Sequence, residues 1–138
     1  MSETMTPTAV LLIAHGSRRA EANADLEHVA EVLRGRGGFV HVQPAYLELC
    51  EPDIVTGGGK CVAAGARRVV LLPYFLSAGM HVTEDLTAAR DELTKRHAGV
   101  EFLLAEPLGR HPLLIDVVAD RVREAVGGST SGTSQNRR

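Results

Sequence analysis

Three residues of this chain have the chemistry to hold or neutralise a divalent cation from one side of a fold: His15, Glu48 and His81. A neutral imidazole nitrogen suits first-row divalent metals, and it doubles as a base near neutrality. A carboxylate offsets charge on the ion or accepts a proton. A site with so few protein ligands can give its metal up, unlike a closed structural zinc site. The segment that carries the first histidine reads His15-Gly16-Ser17-Arg18. There Ser17 can cap a following helix, and the positive helix end, with Arg18 and Arg19, would attract a carboxylate or phosphate.

Each of these residues has a plainer use when taken alone. A histidine after a strand is often a cap or loop residue, and His81 could simply begin a helix. Glu48 could be a surface carboxylate beside Glu51, and Ser17 an ordinary cap next to solvated arginines. His28, His41, His97 and His111 fall on helix faces, in a strand or in loops, and read as structural. The case for a site therefore rests on whether the fold brings His15, Glu48 and His81 to one edge.

The elements that would do so are legible. Ala9–Ala14 (AVLLIA) reads as a strand buried on both faces. Residues 19–34 place Ala22, Leu26, Val29, Ala30 and Leu33 at helical spacing, and Gly35, Gly37 and Gly38 stop that helix. Phe39–Leu47 reads as a second strand, and Pro52 opens a helix running to about Ala64. The triplet Gly57–Gly59 weakens this helix at ~1 kcal/mol per glycine, and nothing in the sequence explains it. Arg68–Pro73 (RVVLLP) is a third strand, apolar on both faces, and residues 82–96 a third helix. Val100–Leu104 is a fourth strand, and Pro112–Val126 closes the fold as a helix on Leu113, Val117 and Val122.

The order βαβαβαβα predicts an α/β fold: a four-stranded parallel sheet with helices on both faces, doubly wound through right-handed crossovers. Ligands in such sheets bind outside the carboxyl ends of the strands, where the strand order reverses. With an order of 2-1-3-4 the switch lies between the first and third strands. His15 leaves the first strand, Glu48 the second, and Pro73–Met80 leads from the third to His81. Neighbouring strands are only ~4.8 Å apart, so convergence on one ion is geometrically reasonable.

Composition narrows the class. The 138 residues suffice for one domain, expected over 8–126 between flexible ends at 1–7 and 127–138. Hydrophobic residues make up 44% and aromatic ones 4%, so the core must be built of Val, Leu, Ile and Ala. A net charge of −2 argues against an extended nucleic-acid surface. No apolar run is long enough to span a bilayer and the start lacks a basic signal region, so a cytoplasmic address is expected. Cys50 and Cys61 form no CxxC pattern and read as two buried thiols. GGGK at 57–60 is no phosphate loop, since Cys61 stands where Ser or Thr is required and Ile54 where Gly is. Phosphohistidine chemistry at His15-Gly16 would want an Arg before the histidine, and Ala14 stands there.

The segments LLIAHGSR (11–18), AYLELCEPDI (45–54), VVLLPYFLSAGMH (69–81) and AEPLGRHPLLIDVVADRV (105–122) together resemble the small class II chelatases. These are the short sirohydrochlorin cobaltochelatases and ferrochelatases. The resemblance implies insertion of a divalent metal, Co2+ first and Ni2+ or Fe2+ as alternatives, into sirohydrochlorin in cobalamin, sirohaem or F430 biosynthesis. It assigns His15 and His81 as active-site histidines and metal ligands, and Glu48 as the acidic residue of the catalytic set. Candidate donors to the substrate carboxylates are Ser17, Arg18 and the backbone around Ser77, Ala78, Gly79 and Met80. Tyr74-Phe75-Leu76 could pack on the macrocycle or simply close the core. The resemblance further implies a homodimer, with the metal as substrate and no tightly bound cofactor. The competing reading is a non-catalytic carrier of metal or tetrapyrrole using the same cleft.

Overall fold

Five consecutive apolar residues, Ala9–Ile13, are all buried, as in a strand covered on both faces. In the computed structural model, which describes residues 5–128, this segment is the heart of strand β1 (Thr8–Ala14). It pairs in parallel with β2 (His41–Tyr46) on one side and β3 (Arg68–Pro73) on the other. A four-residue strand, β4 (Glu101–Leu104), adds beyond β3, so the sheet order is β2-β1-β3-β4. This is the order 2-1-3-4 for which the switch point lies between the first and third strands.

The two-residue period of β1 separates the core into two layers. Ala9, Leu11 and Ile13 face α2 (Ile54–Ala63) and α3 (Met80–Arg96), packing with Ile54, Cys61, Leu86, Leu93 and Phe102. Val10 and Leu12 face α1 (Ala20–Arg36) and pack with Leu26, Ala30, Val42 and Tyr46. Helices therefore cover both faces, as a doubly wound sheet requires. From the last turn of α1, Arg34 donates to the Val42 carbonyl at 2.8 Å, tying that helix to β2.

Several boundaries differ from the sequence reading. β2 begins at His41, leaving Phe39 and Val40 exposed ahead of it. Pro44 sits within β2, which is tolerated because β2 is an edge strand. The second helix starts at Ile54 rather than Pro52, because the Asp53 carboxylate accepts from Thr56 N at 2.8 Å and caps it. β3 buries Val69, Leu71 and Pro73 but only half-buries Val70 and Leu72. The third helix begins two residues early, at Met80.

The glycine triplet in α2 now has a reason at two of its three positions. A Cβ on Gly57 would come within 2.9 Å of Leu11 Cδ1 and 3.1 Å of Ala45 Cβ. One on Gly58 would come within 2.6 Å of Leu93 Cδ2. Both glycines let α2 press closely onto β1 and α3. Nothing lies within 4 Å of such an atom on Gly59.

The chain separates into two compact units, Met1–Pro107 and Leu108–Arg138. The second contains helix α4 (Pro112–Gly127), which opens with Pro112 in its first turn and with His111 Nδ1 accepting from Leu113 N. Leu113, Val117 and Val122, the apolar positions on which this helix was expected to pack, are all exposed. Residues 1–4 and 129–138, which include most of the two expected flexible ends, lie outside the described residues.

Candidate functional site

The carboxyl ends of the three neighbouring strands are stitched together beyond the last paired residues. Leu47 N donates to the Ala14 carbonyl and Glu48 N to the His15 carbonyl, each at 3.0 Å. On the other side Tyr74 N donates to the Ile13 carbonyl at 2.7 Å. The segment leaving β1 is thus held from both flanks. This close approach demands glycine after His15. Gly16 has φ +97°, and a Cβ there would overlap the Glu48 carbonyl oxygen.

His15 follows β1 directly and its side chain is exposed. Its imidazole lies against the Phe75 ring, with centroids 4.6 Å apart and planes tilted by 34°. Glu48 is also exposed, at the start of the Leu47–Pro52 loop that Tyr46 N closes by donating to the Pro52 carbonyl at 2.9 Å. Within that loop Leu49 has φ +67° and is 51% exposed. A left-handed conformation at an exposed leucine is costly, and such strain tends to collect at functional sites.

His81 occupies the second position of α3, exposed and behind the N-capping Gly79. The segment Tyr74–Gly79 intervenes between β3 and this histidine, whereas His15 leaves its strand at once. His15, Glu48 and His81 therefore share one sheet edge, as their sequence positions suggest. They do not close on a single ion, for among the described residues no group of three His, Cys, Asp or Glu could hold a metal. The arrangement is an open one.

Donors for an anionic rim surround these groups. Gly79 provides no side-chain cap to α3, so the amides of the first turn, starting at Met80, are left for an external acceptor. Of the neighbouring residues, Ser77 and Gly79 are exposed, Ala78 is half-buried and Met80 is 75% exposed. At the other helix start the expected Ser17 cap is not formed. The N-cap residue of α1 is Arg19, and no side chain caps it. Asn23 competes successfully for this turn: its Oδ1 accepts from Ser17 N at 3.0 Å and its Nδ2 donates to the Ser17 carbonyl at 2.8 Å. The Ser17 hydroxyl accepts instead from Arg19 N at 3.0 Å. Arg19 is paired with Glu21, while no described ion pair holds the exposed Arg18.

Of the aromatic-apolar run after β3, Tyr74 and Phe75 pack against the two core layers and Leu76 is 64% exposed. Leu76, Met80 and Leu49 thus give the edge an apolar rim beside its histidines. Leu49 carries no sequence signal that would mark it, since its importance lies in a backbone angle. Tyr46, beneath the edge, has its phenol pushed up to about 12 by burial, helped by the charges of Glu27 and Cys50, so it stays neutral. The thiols differ from expectation: Cys61 is buried, its pKa pushed up to about 12 by that burial, but Cys50 is only half-buried. Of the other histidines, His41 bonds Gln43 at 2.8 Å, His97 packs near Phe102 and His111 caps α4.

The model of the CbiX family matches residues 9–125. The chloroplastic sirohydrochlorin ferrochelatase of Arabidopsis thaliana is 38% identical over 117 residues, covering 85% of this chain and 52% of the relative. The sirohydrochlorin cobaltochelatase of Methanopyrus kandleri is 30% identical over 139 residues, covering 86% of this chain and 97% of the relative. A solved CbiX protein from Marinobacter aquaeolei VT8 superposes with a TM-score of 0.75 at 33% identity, covering 87% of this chain and 98% of that one. The chain spans about half the length of the plant relative and nearly all of the other two.

Proposed function

The chain belongs to the CbiX family of class II chelatases, and from that membership we propose that it inserts a divalent metal into sirohydrochlorin. The observation that carries the reading is the open sheet edge. His15 is pinned there by the Glu48 amide and the Phe75 ring, and His81 stands on the same edge.

Insertion asks three things of a protein: to strip water from the ion, to accept two pyrrole protons, and to hold the macrocycle so that the ion can enter. The exposed imidazoles of His15 and His81 can exchange water for nitrogen on Co2+, Ni2+ or Fe2+. Because no group of three His, Cys, Asp or Glu among the described residues could enclose the ion, it can leave for the tetrapyrrole. One M2+ enters the ring as two N–H protons leave, with His15, His81 and Glu48 as the nearby acceptors. The carboxylates of the substrate would be met by Arg18, Ser17 and the free amides that begin α3. Leu49, Leu76 and Met80 supply an apolar seat for the macrocycle.

Co2+ is the metal we favour, and the family's cobaltochelatase and ferrochelatase members make cobalamin and sirohaem the candidate pathways. We further propose a cytoplasmic homodimer that needs no resident cofactor. In support of a non-membrane address, no helix among the described residues is long and apolar enough to cross a membrane.

The test is to mix the protein with sirohydrochlorin and Co2+ and follow the absorbance change of the macrocycle. The expected rate exceeds the spontaneous one, and His15→Ala or His81→Ala lowers it by about 100-fold while the fold is retained. Binding without turnover would replace the enzyme by a carrier. A gel-filtration mass of one chain would remove the dimer.

A further inference from the structure

We propose that Phe75 is the positioning residue for His15, holding the imidazole by its ring face where metal-binding histidines usually rely on a hydrogen bond. This inference rests on His15 being the metal-handling group of the site.

A histidine that ligates a metal almost always donates its other ring N–H to a carboxylate, carbonyl or water, which fixes its tautomer and plane. No described carboxylate or carbonyl plays that part for His15. Among the described residues no hydrogen bond reaches either ring nitrogen, and the one bond at this residue is from Glu48 N to its backbone carbonyl. What faces the imidazole is the Phe75 ring, at 4.6 Å and 34°. Phe75 is itself half-buried and packed against the core layer of Ile13, Leu71 and Leu86, so it is a fixed surface.

The two ways of holding an imidazole have different consequences. A hydrogen-bonded acceptor occupies one nitrogen and commits the ring to one tautomer. A ring face sets the plane of the imidazole and leaves both nitrogens open. For a ligand that must take up a metal and then release it, the second arrangement is the better suited. It also assigns a reason for an aromatic residue at the second position after β3, where Leu would also supply apolar volume.

The experiment compares wild type, Phe75→Leu, which keeps apolar volume without the ring, and Phe75→Tyr, which keeps the ring. Circular dichroism checks that each folds. Imidazole proton resonances are recorded on metal-free protein, with His15→Ala assigning the His15 signals. Co2+ alone is then titrated, and insertion into sirohydrochlorin is measured. We expect the His15 signals of wild type and Phe75→Tyr to be displaced by the aromatic ring current, and this displacement to vanish in Phe75→Leu. Phe75→Leu should lose about tenfold in Co2+ affinity and in kcat, with KM for sirohydrochlorin unchanged. Phe75→Tyr should restore both. Wild-type Co2+ affinity and kcat in Phe75→Leu, or a loss that Phe75→Tyr does not recover, would overturn the positioning role. Absence of turnover in the wild type would instead sink the chelatase reading, while the resonances and Co2+ affinities would still judge Phe75.

Discussion

The backbone of Gly16 lies so close to the Glu48 carbonyl oxygen that no side chain could be accommodated between them. This contact carries the β1–β2 ladder past the ends of both strands, through the bond from Glu48 N to the His15 carbonyl. The histidine and the carboxylate of the candidate site are therefore set by one backbone clasp.

Gly16→Ala should break that clasp. Alanine would be strained at φ +97° and would also displace the Leu47–Pro52 loop. A loss of about 3 kcal/mol is expected in urea denaturation, because a backbone clash adds to conformational strain. Insertion activity should fall with it. An alanine variant as stable as the wild type would mean that the Glu48 carbonyl is not held where the structure has it.

The three glycines of α2 should respond with different signs. Gly57→Ala meets the closely packed Leu11 and Ala45 and should cost about 1–3 kcal/mol. Gly58→Ala meets Leu93 more tightly still, at 2.6 Å from Cδ2 and 3.2 Å from Cγ, and because Leu93 is fully buried it should cost at least as much. Gly59→Ala meets nothing within 4 Å and should stabilise by about 0.5–1 kcal/mol through helix propensity. Denaturation midpoints of the three variants check the order.

Asp53 should make part of the stability pH-dependent. The backbone N–H of Thr56, followed by the Thr56 side chain, holds its carboxyl below the usual range. A depressed folded pKa means the contribution is complete above the unfolded value of about 3.9 and is lost as pH falls through the lower folded value. Asp53→Ala should cost about 1 kcal/mol at pH 7, and the gap from wild type should narrow in acid. An equal gap at pH 7 and pH 3 would contradict this.

Leu49→Gly should separate stability from function. Glycine relieves a left-handed residue at a gain of about 1 kcal/mol, and the side chain lost is half exposed, so little burial goes with it. If Leu49 seats the macrocycle, the same change should raise KM for sirohydrochlorin several-fold with kcat little altered. Unchanged KM would remove Leu49 from the seat.

The larger features of this molecule were legible because they depend on period and order. AVLLIA reads as a doubly covered strand, and the alternation of strand and helix places His15, Glu48 and His81 behind the carboxyl ends of three parallel strands. Capping was harder to read, since Ser17 and Asn23 compete for the same turn and the winner depends on how Tyr46 and β2 crowd it; Tyr46 Oη donates to the Asn23 carbonyl at 3.4 Å. Gly57 and Gly58 look like helix breakers in the sequence. Their purpose appears only with Leu11, Ala45 and Leu93 beside them.

Sequence alone determined the fold class and the two histidines that follow the first and third strands, because hydrophobic periodicity and βαβ handedness are local rules. Tertiary structure alone decided that Gly16 lies against Glu48, that Phe75 faces His15, and that Leu49 is held in a left-handed turn. Those are contacts between segments far apart in the chain, and their geometry is set by packing across the sheet, which no spacing within one segment encodes.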